Sequence, residues 1–480
     1  MSARESRFRI IHTNRSIRIA GAAATFAVAL LALAPASAHA LDIKRTTLSN
    51  GAVLLVSEEH LLPMVTVSIA FDAGARRDPR GKEGLARLTA ECLEQGTKEL
   101  TVAQFNQKTD FMGSSVSVGV GRDYADADLT SLTRYLPDTL HLLAGILTEP
   151  GLRDADIERK RAEQVAEIKG NEEQPGYVAD VTFVKSLFGD TPYGHAEEGT
   201  ADSVSKLTAD DIRGFYRDQY KLGSAVIAVV GDVDAAEIKA SLEKELAGLS
   251  GTVAPQPAPP PVSVAPGIHA NLVDREVAQA NVVLGFGGIA RANPDYYKLQ
   301  VMNYILGGGG FASRMVQVVR SKAGLAYSVN SGFDAGRFQG AFTVVLQTKN
   351  QSANQALSLV LQQLREIQEK PVTDAELSDA KKFLVGSFPL KFDRQSSIAS
   401  FMLQVELYGL GLDYADKYPK LINAVTADDV QKVARQYLHP DAAILVAVAD
   451  QKEAAINTAS FEKVSGGAGS GGAGGGAGAN

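Results

Sequence analysis

The histidines and the single cysteine are the side chains of this sequence that could bind a metal or act as a nucleophile. Zinc motifs place two histidines about one helical turn apart. None of the histidines beyond residue 40 lies three to five residues from another, and they are His60, His141, His195, His269 and His439. Isolated histidines favour surface or core positions over a site assembled from three distant ones. Cys92 has apolar neighbours, which favours a buried small hydrophobe over a nucleophile.

A short helix is expected over residues 84–97, which read Gly-Leu-Ala-Arg-Leu-Thr-Ala-Glu-Cys-Leu-Glu-Gln-Gly-Thr. Arg87 and Glu91 are four residues apart, so they lie on one helix face and can form an ion pair. Ala90 and Glu94 accompany them on the same segment. An equally good interpretation is that this face is a solvated charged stripe, because such stripes are common on surface helices.

A second segment combines a glycine-rich turn with an arginine and a tyrosine. Gly307, Gly308, Gly309 and Gly310 precede Ser313-Arg314, and Arg320 is followed by Gly324-Leu325-Ala326-Tyr327-Ser328. A guanidinium and a phenol can together orient a carbonyl and stabilise an oxyanion. Alternatively, Arg320 ends a helix and Tyr327 starts a buried strand. A phosphate loop is excluded, since the glycines follow a helix and lack a Gly-Lys-Ser/Thr ending.

Both segments resemble signatures of the pitrilysin/insulinase-like zinc peptidases, in particular the mitochondrial-processing-peptidase type. The first is similar to their Gly-Leu-Ala-His-x-x-Glu-His helix and the Leu-x-x-Gly-Thr that follows it. The frame matches at Gly84, Leu85, Ala86, Leu93, Gly96 and Thr97. The first histidine position holds Arg87, the catalytic glutamate position Ala90 and the second histidine position Glu91. Glu167 matches the downstream glutamate ligand.

The resemblance therefore implies that this chain binds no metal at the family's site. Arginine has no lone pair to give to a metal, and alanine cannot be a general base. We expect Arg87, Glu91 and Glu167 to form an ion cluster where the zinc would lie. In the second motif, the resemblance implies that Arg320 and Tyr327 hold a carbonyl oxygen of a bound peptide near the scissile bond. It also implies that the glycines form a turn, similar to a flexible substrate-contacting loop.

The elements around these motifs are repeated. Thr208-Ala-Asp-Asp-Ile precedes a helix and a buried strand near the end of the first half, and Thr426-Ala-Asp-Asp-Val does the same in the second. In each case the threonine is a helix N-cap. We predict an α+β protein of two homologous tandem domains, each an antiparallel sheet with helices packed on one face.

The segments outside the two domains are distinct in composition. Arg-rich residues, an apolar run and Ala38-His39-Ala40 predict a signal peptide over residues 1–40 and cleavage near Ala40, rather than an uncleaved anchor. The first domain is expected over residues 41–250 and the second over 268–458. Residues 251–267 form a Pro-rich linker. The Gly/Ala tail, residues 465–480, is expected to be disordered.

The sequence and the resemblance together predict the non-catalytic subunit of a two-subunit zinc metalloendopeptidase, exported to the periplasm. A homologous zinc-bearing subunit would be its heterodimer partner, and an extended peptide its ligand. The net charge of −7 argues against nucleic acid, and no membrane span is expected after signal cleavage. Two alternatives remain: a peptide-binding or scaffold protein with no peptidase role, and a self-sufficient metallopeptidase with an atypical site.

Overall fold

The chain is organised around two β-sheets. The computed structural model describes residues 42–459, so the predicted signal peptide and the predicted tail lie outside the described residues. The first sheet has the order β1-β2-β6-β3-β5-β4, with strands Lys44–Thr47 (β1), Val53–Glu58 (β2), Met64–Phe71 (β3), Ser115–Val120 (β4), Ala125–Leu132 (β5) and Val226–Gly231 (β6). The second has the order β7-β11-β8-β10-β9, with strands Gly267–Asp274 (β7), Gln279–Gly287 (β8), Ala326–Phe333 (β9), Ala341–Lys349 (β10) and Ala442–Ala449 (β11).

Helices connect and cover these strands. Those of the first half are Leu85–Leu93 (α1), Val102–Phe111 (α2), Leu136–Thr148 (α3), Asp154–Asn171 (α4), Pro175–Phe188 (α5), Ala201–Ser205 (α6), Ala209–Gln219 (α7) and Ala235–Glu245 (α8). Those of the second are Tyr296–Asn303 (α9), Ala353–Glu369 (α10), Asp374–Ser387 (α11), Gln395–Leu407 (α12), Tyr414–Asn423 (α13), Ala427–Tyr437 (α14) and Gln451–Ala454 (α15). Two π-helical turns, Tyr304–Gly308 and Val316–Lys322, lie between α9 and β9.

The two sheets share one topology, which confirms the duplicated α+β fold. In each, the last strand of the half inserts between two earlier strands, β6 between β2 and β3 and β11 between β7 and β8. One hairpin strand forms an edge, β4 in the first sheet and β9 in the second, and the first sheet has β1 as an additional strand at its other edge. The sheets are not wholly antiparallel. β2 pairs with β6 and β7 with β11 in parallel, because almost the whole length of each half separates the paired strands, and a long connection permits parallel pairing.

The repeated Thr-x-Asp-Asp motif starts equivalent helices. The Thr208 hydroxyl accepts a hydrogen bond from the Asp211 amide (3.2 Å) at the start of α7. The Thr426 hydroxyl accepts one from the Asp429 amide (3.1 Å) at the start of α14. In both helices the aspartate carboxylate in turn accepts a hydrogen bond from the threonine amide, which completes a capping box. The local signal therefore has the same structural role in both halves.

Each half contributes one helix to the outer face of the other half's sheet. Helix α5 of the first half packs its apolar face, including Phe183 and Leu187, on Val283 and Val446 of the second sheet. Helix α12 of the second half packs on β3 and β6 of the first sheet, and the side-chain amide of its Gln395 donates to the Met64 carbonyl (3.2 Å). Each half's own helices pack on one face of its sheet, as predicted. The exchanged helix packs on the opposite face, on β3 and β6 of the first sheet and on β8 and β11 of the second.

The segment between the two halves contains no helix or strand from residue 246 to 266. It is nevertheless attached to the body. Val253 is buried, the Gln256 amide donates to the Arg76 carbonyl (2.9 Å), and the Val262 amide donates to the Gln339 side chain (2.8 Å). The Pro-rich stretch is thus an extended strap, consistent with the stiffness of proline-rich chain.

Candidate functional site

Helix α1 has the frame of a zinc helix for reasons of packing. It begins after Gly84, whose φ of +93° and close approach to the Glu198 carbonyl leave no room for a side chain. The Asp78 carboxylate accepts hydrogen bonds from the Gly84 and Ala86 amides, each 2.7 Å long, and so satisfies amides at the helix N-terminus. Leu85, Ala86 and Leu93 are buried in the core of the first half. Packing within the first half therefore explains why these residues occupy the helix, independently of any metal.

The structure joins Arg87, Glu91 and Glu167 in the ion cluster that the sequence predicts. The Arg87 Nε donates to the Glu91 Oε1 (3.0 Å) on the same helix. Its Nη2 donates to the Glu167 Oε2 (2.6 Å) on α4. The Arg87 side chain is 27% exposed, and its pKa is raised by its hydrogen bonds and charge interactions with the two glutamates, which outweigh the lowering effect of burial. The Arg87 guanidinium thus bridges the two carboxylates that remain of the site, and the Lys160 ammonium lies 3.8 Å from the second oxygen of Glu91.

These residues do not fit a zinc ion. Glu91 and Glu167 are the carboxylates of the set, the Arg87 guanidinium bridges them, and Ala90 is buried without a donor atom. A cation placed there would have to displace the guanidinium and would still lack two ligands. Within residues 42–459 no group of three or more His, Cys, Asp or Glu is arranged to hold a metal.

A cavity of about 190 Å³ lies between α1 and the edge strand β4. Arg87, Ala90 and Glu91 line one side, and residues 118–120, Glu197 and Glu198 line the rest. Burial raises the pKa of Glu197. Burial also raises the pKa of the Tyr177 phenol, which is hydrogen-bonded to Glu198. Sequence reasoning missed this second acidic pair and the tyrosine, because their segment carries no motif and reaches α1 only through tertiary packing.

The second motif forms an exposed group at the edge of the other sheet. Arg320 lies in the π-helical turn before β9, and Tyr327 lies at the start of β9 with 69% of its surface exposed. The buried-strand alternative for Tyr327 is therefore wrong. The Arg320 Cζ lies 6.0 Å from the centre of the Tyr327 ring and 5.0 Å from that of Phe311. In the described part of the chain, the Arg320 guanidinium forms no ion pair and no hydrogen bond.

The glycine-rich turn is closely packed. A Cβ on Gly307 would lie 2.4 Å from the Ser331 hydroxyl, and one on Gly309 would lie 2.5 Å from the Tyr304 carbonyl. Gly310 has room but adopts a φ of +55°, which favours glycine. The turn is then anchored by Arg314, whose Nε and Nη2 donate to Glu376 of α11 at 2.6 and 2.9 Å. Close packing, rather than a requirement for mobility, accounts for the glycines from 307 to 309.

The two candidate sites occupy equivalent places in the two halves. Arg87 lies beside β4, and Arg320 and Tyr327 lie at β9; β4 and β9 are the corresponding edge strands. No hydrogen bond or ion pair joins the two groups within residues 42–459. A degenerate metal site and an exposed Arg/Tyr pair, on two copies of one α+β domain, define the zinc-peptidase class of fold without its metal ligands.

The chain belongs to the insulinase family, peptidase family M16. Residues 53–200 match the family model "Insulinase (Peptidase family M16)", and residues 206–384 match "Peptidase M16 inactive domain". In the segment that resembles the family's zinc helix, Arg87 and Glu91 stand at the two histidine positions and Ala90 at the catalytic glutamate position. None of the helices within the described range is both long and apolar enough to cross a bilayer.

Three relatives illustrate the similarity. An uncharacterised zinc protease of Streptomyces coelicolor is 28% identical over 427 residues, which cover 87% of this chain and 92% of that protein. A non-peptidase homolog of Helicobacter pylori is 29% identical over 362 residues, covering 75% and 83%. A crystal structure of a peptidase M16 inactive domain from Pseudomonas fluorescens has a TM-score of 0.79 and 29% identity, and covers 85% of this chain and 98% of that chain.

Proposed function

We propose that this chain is the non-catalytic subunit of a two-subunit zinc metalloendopeptidase. It would supply the substrate-binding pair Arg320 and Tyr327 and one half of the chamber that encloses the peptide. A homologous subunit with the intact histidine motif would supply the zinc. The single observation that carries the proposal is a contrast between two arginines. The Arg87 guanidinium is hydrogen-bonded to two carboxylates in the first half, whereas the Arg320 guanidinium lies beside the exposed Tyr327 in the second.

The exposed pair has the chemistry that the proposed role needs. The zinc of the partner would activate the attacking water. Arg320 offers charged N–H donors and Tyr327 a phenolic donor, and these suit the carbonyl oxygen of a peptide as negative charge develops on it. Because the Arg320 guanidinium has no carboxylate partner in the described residues, no ion pair has to break before it meets a substrate.

The edges of the two sheets support the binding of an extended peptide. β4 and β9 each pair with a neighbouring strand on one side only, so each has an outer edge where a further strand could pair. On β4 the Val118 amide already donates to the Glu94 carboxylate (2.7 Å). A peptide that adds a strand to such an edge gains affinity from main-chain hydrogen bonds and selectivity from side-chain pockets. We therefore expect little dependence on a unique sequence and a strong dependence on an unfolded, extended substrate.

The proposed location is the periplasm. It is supported by the signal-peptide pattern of residues 1–40 and by the lone Cys92 in the whole sequence, since a chain with one cysteine forms no internal disulfide in an oxidising compartment. Cys92 is buried, and burial raises its pKa to about 12, so it is held as an unreactive thiol.

The test is to purify the chain alone and together with co-exported homologues that have the histidine motif. Zinc content and cleavage of an unstructured, internally quenched peptide are then measured. We expect neither zinc nor activity in the lone chain, and activity in the mixture. Zinc together with activity in the lone chain would refute the proposal. No effect on any homologue, combined with tight binding of the peptide, would indicate a binding or scaffold protein instead.

A further inference from the structure

An exposed phenylalanine accompanies the Arg/Tyr pair. Phe311 follows the four glycines in a short 3-10 turn, Gly310–Ala312, and 67% of its surface is exposed. Its ring centre lies 5.0 Å from the Arg320 Cζ, closer than the Tyr327 ring at 6.0 Å. Arg320 therefore has two aromatic neighbours, Phe311 before it in the chain and Tyr327 after it.

The position of Phe311 is fixed by its backbone. The side-chain amide of Gln317 donates to the Phe311 carbonyl (2.5 Å), and the buried Ser313 hydroxyl donates to the Gly310 carbonyl (2.7 Å). Arg314, three residues after Phe311, is held by Glu376 through two hydrogen bonds. The ring is thus carried by an anchored turn, so it can restrict the side chain that it contacts.

An arginine without an anionic partner needs such restriction. Its long side chain loses rotamer entropy when it is held in one geometry, and no carboxylate holds Arg320 in the described chain. An aromatic ring over the guanidinium attracts it and offsets part of that loss. Stacking uses the face of the guanidinium, and its N–H edges stay free to donate to a carbonyl.

We propose that Phe311 is a positioning residue that holds the Arg320 guanidinium by stacking, with its N–H donors directed to the peptide carbonyl beside Tyr327. The inference rests on the proposed function, which assigns Arg320 and Tyr327 to the peptide. Phe311 acts through Arg320, so its loss should mainly reduce kcat, because the carbonyl is still bound but is oriented poorly.

The stack can be tested in this chain alone, because the sequence contains no tryptophan. Phe311→Trp introduces the sole indole of the chain at the site, where it can be excited apart from the tyrosines, and keeps an aromatic face. We compare acrylamide quenching and anisotropy decay of Phe311→Trp with those of Phe311→Trp/Arg320→Ala. Loss of Arg320 should raise both the quenching and the local motion of the indole. Phe311→Trp/Lys322→Ala is the matched control, since it removes one exposed charge from the same turn and leaves the stack. Equal quenching and equal anisotropy decay in all three proteins would show that the ring at position 311 does not stack on Arg320, and would overturn the proposal.

The role is tested in the mixture with the zinc-bearing subunit and the quenched peptide. Phe311→Leu, which keeps apolar bulk without a ring, should lower kcat about 10-fold with little change in KM. Phe311→Tyr should restore the rate, which a merely structural loss would not explain. Phe383→Leu, at another exposed aromatic of the same half, is the control and should have no effect.

The outcomes separate the two levels of the proposal. If Arg320→Ala abolishes stimulation and Phe311→Leu does not reduce kcat, the role of Phe311 is refuted and the proposed function stands. If Arg320→Ala itself has no effect, the proposed function fails, whatever Phe311 does.

Discussion

Two arginines at equivalent edges of the two sheets have opposite surroundings. Arg87 donates to Glu91 and Glu167 at 3.0 and 2.6 Å, so its charge is neutralised inside the chain. Arg320 contacts the rings of Phe311 and Tyr327, which leave its charge uncompensated. The comparison teaches that the first site is closed to ligands by its own residues, while the second is ready to receive one. Each prediction below changes one of these two sites or the ion pair that anchors the second.

The largest expected effect is the return of a metal to the first half. In the triple variant Arg87→His, Ala90→Glu, Glu91→His, two imidazoles one helical turn apart would join Glu167 as ligands. We expect the zinc content after dialysis to rise from none to about one ion per chain. Arg87→His alone is the control and should bind no zinc tightly. A triple variant that folds and remains free of zinc would show that the ligand frame has been lost along with the ligands.

The second effect concerns activity in the presence of the zinc-bearing subunit. Arg320→Ala should lower kcat/KM for the quenched peptide by about 100-fold, the usual loss for a donor to a developing oxyanion. Tyr327→Phe, which removes only the hydroxyl, should cost less. Arg87→Ala serves as the matched arginine in the other half and should change the rate less than 3-fold or so. Equal losses from Arg87→Ala and Arg320→Ala would remove the distinction between the two sites.

The third effect tests the anchor of the second site by pH. Hydrogen bonding to Arg314 lowers the pKa of Glu376 to about 2, and its side chain is 29% exposed. Between about pH 2 and an unfolded pKa of about 4.3, the unfolded chain binds more protons, so stability falls as the pH falls. Glu376→Gln should reduce the free energy of unfolding by roughly 2 kcal/mol at pH 7. The difference from wild type should shrink between pH 5 and pH 2; a constant difference would contradict this account.

The smallest effect is on stability at the first site. Arg87→Met keeps the apolar stem and removes the guanidinium that bridges Glu91 and Glu167, so it should cost about 1 kcal/mol in urea unfolding. The Lys160 ammonium, 3.8 Å from Glu91, remains. A double-mutant cycle should give a larger coupling of Arg87 to Glu91, which is 22% exposed, than to Glu167, which is 47% exposed. Arg320→Met should be nearly neutral, because no ion pair is lost there. A larger cost at Arg320 than at Arg87 would reverse the comparison.

The elements and the repeat were predictable because their signals are local. The Thr-x-Asp-Asp caps place α7 and α14. The apolar periodicity predicts helices over residues 154–169 and 354–368, and the structure has α4 and α10 there with ends within about two residues. The ion pair of Arg87 with Glu91 also follows from spacing within one helix. Such features need no knowledge of which parts of the chain meet.

The exchanged helices and the surroundings of the sites were not predictable in this way. Asp126 and Asp128 alternate with alanines along β5, a pattern typical of a strand with one solvated face. In the structure, however, they line a cavity together with Leu403 and Gln404 of α12 from the other half. Burial therefore raises the pKa of Asp126 to about 6. The alternation of residues along a strand does not show which other part of the chain will lie against each of its faces. For the same reason the sequence placed Tyr327 in a buried strand as one alternative and did not associate Phe311 with Arg320.

The most direct test of the central claim is a titration of this chain into a fixed concentration of the zinc-bearing subunit while cleavage of the unstructured peptide is followed. The account predicts that the rate rises to a plateau at a one-to-one ratio, and that the Arg320→Ala chain still binds the subunit but gives a plateau near the baseline. A rate that does not change as the wild-type chain is added, or full activity with the Arg320→Ala chain, would contradict it.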